Sequence, residues 1–229
     1  PMRKANIENL LSEKIKTSQL YLDSLTHRSA SNKNNERLEF FGDAILGFFI
    51  AEFLYEKFPE DDEGALSRKR SYLVRKDTLS LIATHYDIGS KIILGDGERK
   101  SGGHRRDSII SDALEALIAV VYLVEGPEET RKFISKVFEK FINILPSNDD
   151  LKDSKTRLQE LLQSYNIELP MYETTEVNKN NKIHFRTLCK IKKYNICEEG
   201  IGGNKRKSQQ EAAKKALEEM NTIYNKKNA

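Results

Sequence analysis

Three carboxylates stand close together in Asn35-Glu36-Arg37-Leu38-Glu39-Phe40-Phe41-Gly42-Asp43-Ala44-Ile45-Leu46. On a helix, Glu36, Glu39 and Asp43 fall at i, i+3 and i+7, so their side chains share one face. A solvated acidic face is one reading. The residues between them, Leu38, Phe40, Phe41, Ile45 and Leu46, support another: a largely buried helix, whose like charges are costly unless something neutralises them. A hard divalent cation such as Mg²⁺ takes carboxylate oxygens while keeping several waters, and is the simplest neutraliser. Asp112 and Glu115, in Ser111-Asp112-Ala113-Leu114-Glu115-Ala116-Leu117, repeat the i, i+3 spacing on a second apolar helix. If the two faces oppose each other, four or five carboxylates converge. Such a cluster holds one or two metal ions and orients a water for in-line displacement at phosphorus. Two unrelated amphipathic helices with ordinary exposed acids are the alternative. None of the four histidines lies in either acidic block, which argues against a histidine general base.

Helices are the elements expected to position these acids. Apolar residues recur at three- and four-residue steps through Ile7 to Leu11, Leu20 and Leu22, Phe40 to Leu54, Leu73 to Ile82, Leu114 to Val124, and Phe133 to Leu145. Gly and Pro punctuate the stretch at Pro59, Gly64, Gly89, Gly95 to Gly103, Gly126 and Pro127. The polar piece Pro146-Ser147-Asn148-Asp149-Asp150 is the best linker candidate. Beyond it the pattern changes to a short helix at Lys155–Tyr165 and strands at Met171–Val177, Ile183–Lys192 and Tyr194–Ile201. A closing Ala/Lys/Glu helix runs from about Lys207 to Tyr224. The expected fold is multi-domain: an all-α unit over residues 2–147, a linker over 148–152, and a small α+β unit (α-β-β-β-α) over 153–225.

Charge divides along the same line. The net charge of +3 hides a front of 22 basic and 25 acidic residues, to position 150, and a back of 16 basic and 10 acidic ones. A basic back of net +6 hints at nucleic acid. No stretch approaches the roughly 18 apolar residues of a membrane helix, so no membrane partner is expected. Cys189 and Cys197 make neither a zinc spacing nor a disulfide framework. The opening Pro1-Met2-Arg3-Lys4 runs into polar sequence rather than an apolar signal core, with the leading Pro set aside as a remnant of tag removal. A cytoplasmic location is expected. The Gly95-x-Gly97 pair lacks the placed glycines of a dinucleotide fingerprint, so no nucleotide cofactor is expected. That run reads instead as a connection whose Arg99, Lys100, Arg105 and Arg106 could meet phosphates. Ser67-Arg68-Lys69-Arg70 reads as a solvated helix face, with an RNA role as the alternative.

The string Glu36 to Leu46 is very similar to the signature of the bacterial ribonuclease III family. So are Gly97-Glu98-Arg99-Lys100-Ser101-Gly102-Gly103 and the block Ser108 to Ala116, in the family's order and separation. By this resemblance, Glu39, Asp43, Asp112 and Glu115 match magnesium-binding carboxylates, and Asp43 and Glu115 the catalytic pair. Glu36 and Glu63 match supporting acids of the cleavage site. Phe40 resembles an aromatic that packs into a partner subunit, which implies a homodimer. The implied chemistry is endonucleolytic hydrolysis of double-stranded RNA with Mg²⁺, or Mn²⁺ in its place. It leaves 5′-phosphates and short 3′ overhangs, with precursor rRNA and some mRNAs as the family's targets. The alternative is a non-catalytic dsRNA-binding protein that kept the fold. All four principal carboxylates are present, which disfavours it.

From Asp153 onward the order resembles the double-stranded RNA-binding domain, most closely at Gly200 to Ala213. By that resemblance Lys205 and Arg206, opening the last helix, hold phosphates across a groove, where contacts carry little sequence information. Gln159 and Gln163, at i and i+4, match positions that reach the minor groove and its 2′-hydroxyls. The family's Gly-Pro-x-His turn is absent: the chain reads Asn178-Lys179-Asn180-Asn181-Lys182-Ile183-His184. Aligned on Phe185, Asn181 takes the position of that His, and His184 falls later, as a strand residue.

Overall fold

The computed structural model describes residues 5–179 and 182–227. The chain divides into two compact units, the first ending at Leu145 and the second beginning at Pro146. The first is helical: α1 (Glu13–Lys16), α2 (Gln19–Ser24), α3 (Glu36–Lys57), α4 (Glu63–Val74), α5 (Lys76–His85), α6 (Asp96–Lys100), α7 (Asp107–Glu125) and α8 (Pro127–Asn143). Its core helix is α7, buried on nearly every side from Ile109 to Val121. A helix that is apolar all round belongs inside the packing rather than on it. Around α7 lie Leu46, Ile50 and Leu54 of α3, Leu79 and Ile82 of α5, and Ile134 and Phe138 of α8. Asp62 caps α4, its carboxylate accepting the Ala65 N–H at 2.7 Å. Gly126, at φ 85°, turns the chain out of α7, and Pro127 opens α8, where a missing N–H costs nothing.

The second unit contains α9 (Asn148–Leu151), α10 (Ser154–Ser164), β1 (Met171–Lys179), β2 (Lys182–Ile191), β3 (Ile196–Gly202) and α11 (Lys205–Lys227). The strands form one antiparallel sheet in the order β1-β2-β3. Thr187, Cys189 and Ile191 alternate inward along β2 and pack with Leu158, Leu162, Ala213, Ala216 and Met220 from the two long helices. Gly200 is required here, because a Cβ would lie 2.2 Å from the backbone nitrogen of Ala212.

Local structure refines the reading of residues 146–152 and corrects others. The stretch read as a linker carries the helical turn α9, capped by Ser147, whose hydroxyl accepts the Asp150 N–H. Tyr194 lies in a 3-10 turn, not in a strand, and Asn195 follows it at φ 52°. The glycine-rich run is likewise not a bare connection: it holds α6 and a 3-10 turn at Gly103–Arg105. Nor is Ser67 to Arg70 uniformly solvated, since Lys69 is buried over the Phe58 ring and paired with Asp61.

Candidate active site

Helices α3 and α7 approach closely where Gly42 faces the backbone of Glu115. Opposed at that crossing, their acidic faces meet. One carboxylate oxygen from each of Glu39, Asp112 and Glu115 lies within 4.8 Å of the others. Asp43 sits outside this trio on the exposed side of α3, yet its charge acts directly on Glu115.

The electrostatics follow from packing acids at a helix crossing. Burial raises Glu115 first, and Asp43, Asp112 and Glu39 push it further, up to about 8. Glu39 is raised as well, by burial and then by Asp112. A buried carboxyl kept protonated near neutral pH marks a place where positive charge is wanted. The donor set is all oxygen and acidic, which suits a hard divalent cation better than a soft one.

The remaining sequence candidates fall at the margin. Glu36 is exposed, with Arg28 Nη1 3.5 Å from its carboxylate. Glu63 lies in the first turn of α4, outside the trio, accepting the Ser67 hydroxyl at 2.8 Å. Beside the acids is a cleft of about 480 Å³, whose lining includes Arg28, Glu36, Glu39, Arg106 and Asp112. Two of the cations proposed for phosphates are already paired, Arg106 with Glu98 at 2.9 Å and Arg99 with Asp96 at 2.7 Å. Sequence reasoning missed Lys76, whose Nζ lies 3.4 Å from Asp112 Oδ1, and Arg28 beside Glu36. Neither has a sequence signal, because each pair forms only through tertiary packing. Phe40, by contrast, is 80% exposed on α3, followed on the same helix by Phe48 and Tyr55, also exposed.

In the second unit, Gln159 and Gln163 are exposed on α10, and Lys205, Arg206 and Lys207 are exposed in the first turn of α11. Asn204 accepts the Lys207 N–H at 2.8 Å, so that helix end is already partly capped and the three cations remain its open feature. They line a groove of about 1000 Å³ with Gln210, Lys214 and Phe185. His184 is a strand residue of β2, paired with Val177, as expected. Asn181 lies outside the described residues.

A helical unit that gathers acids at one crossing, followed by a basic α-β-β-β-α unit, defines a nuclease class joined to an RNA-binding module. Residues 17–141 match the family model described as Ribonuclease-III-like, and residues 154–220 match the Double-stranded RNA binding motif. Ribonuclease 3 of Actinobacillus pleuropneumoniae serotype 5b is 41% identical over 222 residues, covering 96% of this chain and 100% of that protein. Ribonuclease 3 of Buchnera aphidicola subsp. Acyrthosiphon pisum is 46% identical over 213 residues, covering 92% and 94% respectively. The solved nuclease domain of ribonuclease III from Campylobacter jejuni matches with a TM-score of 0.55 at 38% identity, covering 58% of this chain and 99% of that one. The chain belongs to the ribonuclease III family, and it is an endoribonuclease of double-stranded RNA.

Proposed function

We propose that the crossing of α3 and α7 is the cleavage site, and that Glu39, Asp43, Asp112 and Glu115 hold Mg²⁺ there, or Mn²⁺ in its place. The observation that carries this reading is the convergence of Glu39, Asp112 and a buried, proton-holding Glu115. A divalent ion bound by these oxygens supplies Lewis acidity at the phosphoryl group and offsets the charge that develops on it. Asp43 and Glu115 form the catalytic pair. Glu115 would lose its proton on becoming a ligand, and Asp43, on the exposed side of α3, would complete the ligand set from the side open to solvent. Glu36 and Glu63 support the site from its margin. The products carry 5′-phosphates and short 3′ overhangs, and the targets include precursor rRNA and some mRNAs.

Two such sites cutting both strands require two subunits. The exposed stripe of Phe40, Phe48 and Tyr55 supports a homodimer interface along α3, since so much exposed aromatic surface on one helix favours association. The Campylobacter jejuni domain is itself described as flexible in a region involved in dimer formation. Gln159, Gln163, Lys205 and Arg206 bind the duplex by its shape and its 2′-hydroxyls. The catalytic domain spans residues 2–147, the connection 148–152 and the RNA-binding domain 153–225. Among the described residues no helix is long and apolar enough to cross a membrane. A cytoplasmic location fits the proposed targets. The test is Glu115→Gln on a long RNA duplex in Mg²⁺. Cleavage should be lost while duplex binding stays near wild type; undiminished cleavage would refute the site.

A further inference from the structure

Lys76 opens α5, and the proposed reaction gives it no part. Its Nζ lies 3.4 Å from Asp112 Oδ1 on α7, although the side chain is 64% exposed and free to point elsewhere. Its charge acts on Glu39 and Glu115 as well as on Asp112. Among the described residues it is the one Lys or Arg within 4.0 Å of any of the four proposed ligands. The position runs against the helix dipole. A cation in the first turn of a helix sits at the positive end, where an anion is favoured. The acids on α3 and α7 are what hold the ammonium there.

We propose that Lys76 is a tethered counter-cation of the acid cluster, whose ammonium competes with a divalent ion for the same carboxylates and so sets the metal concentration at which the site fills. The inference rests on the cluster being a metal site. Two physical facts give it a sign. An exposed lysine–carboxylate pair is weak, so an ion with two charges and several oxygen ligands displaces the ammonium from Asp112. The displaced ammonium stays on a short leash, and a unit charge a few ångströms from a divalent ion repels it even through water. Lys76 is therefore a positioning residue: it acts on the metal through Asp112, and its removal should strengthen metal binding rather than weaken it.

The test is Mn²⁺ binding to the full chain without RNA, read from the loss of the free-ion paramagnetic resonance signal. Lys76→Met keeps the length and removes the charge. It should lower the Mn²⁺ dissociation constant by about three- to tenfold at low salt, the size expected for one screened unit charge beside a divalent ion. Lys76→Arg should stay close to wild type. Because Lys76 is mostly in solvent, both variants should fold normally, and circular dichroism checks this. Equal or weaker Mn²⁺ binding by Lys76→Met would overturn the inference while leaving the metal site standing. A wild type that binds no Mn²⁺ would overturn both.

Discussion

A Cβ on Gly42 would lie 1.8 Å from the carbonyl oxygen of Glu115. That overlap is with backbone, which cannot rotate away, so the absence of a side chain at position 42 sets how closely α3 and α7 cross. The crossing in turn brings Glu39 within reach of Asp112 and Glu115. Gly42→Ala should force the helices apart and destabilise the protein by at least about 3 kcal/mol, the upper part of the range for overpacked cores. A Cβ on Gly47, in the same helix, would meet nothing within 4 Å. Gly47→Ala should instead be neutral or stabilising by roughly 0.5–1 kcal/mol. Chemical denaturation of the two variants checks the contrast.

Glu115 ties stability to pH. Its carboxyl is held up to about 8 in the folded chain against an ordinary value of 4.5. The folded state thus keeps the proton more tightly than the unfolded one, and the stability gained is full below about pH 4.5 and lost as pH rises towards 8. In a chelating buffer, the melting temperature of wild type should therefore fall relative to Glu115→Gln between pH 5 and pH 8.5. Parallel pH profiles for the two proteins would show that the carboxyl is not held protonated.

The same proton opposes metal binding, because a ligand carboxyl must be ionised. Metal half-saturation should therefore move to lower concentration as pH rises through the same window, as a Mn²⁺ titration at pH 6, 7 and 8 would show. A flat dependence would count against Glu115 as a ligand.

Much of this site is legible in the amino-acid sequence. The acids at 36, 39 and 43 and the pair at 112 and 115 announce themselves, because helical spacing alone puts each set on one face. The opposition of the two faces is not legible there, since Gly42 reads as one more glycine until Glu115 is seen against it. Lys76 is invisible for the same reason: a pair bridging α5 and α7 leaves no periodic trace. In the second unit the order of elements is readable from alternation and composition. Its edges are not, and Tyr194 reads as a strand residue because its β propensity outweighs the signal of the left-handed Asn195 beside it. The helical turn α9 is hidden by its polar composition, which suits a capped turn as well as a linker.

Lys205 and Arg206 leave the first turn of α11 with their charges exposed. Replacing both by Ala should weaken duplex binding for all sequences alike. It should also reduce the slope of log affinity against log salt by about one for each phosphate no longer held. Fluorescence anisotropy with an RNA duplex at several salt concentrations measures it, and an unchanged slope would place the phosphate-binding groups elsewhere.

Phe40 is the most exposed aromatic on α3. If two copies of the chain pair along that helix, Phe40→Ala removes one buried ring from each side, at roughly 1.5–3 kcal/mol per ring. The dimer dissociation constant should then rise by at least about tenfold, read by sedimentation equilibrium. A variant as dimeric as wild type would move the interface off this stripe.

The most direct measurement is incubation of the full chain with a long RNA duplex, with Mg²⁺ and with chelator, followed by analysis of the product ends. The expected result is cleavage only with the metal, of both strands, giving 5′-phosphates and short 3′ overhangs. Cleavage that persists in chelator, or products ending in 3′-phosphates, would contradict metal-assisted hydrolysis at the crossing of α3 and α7.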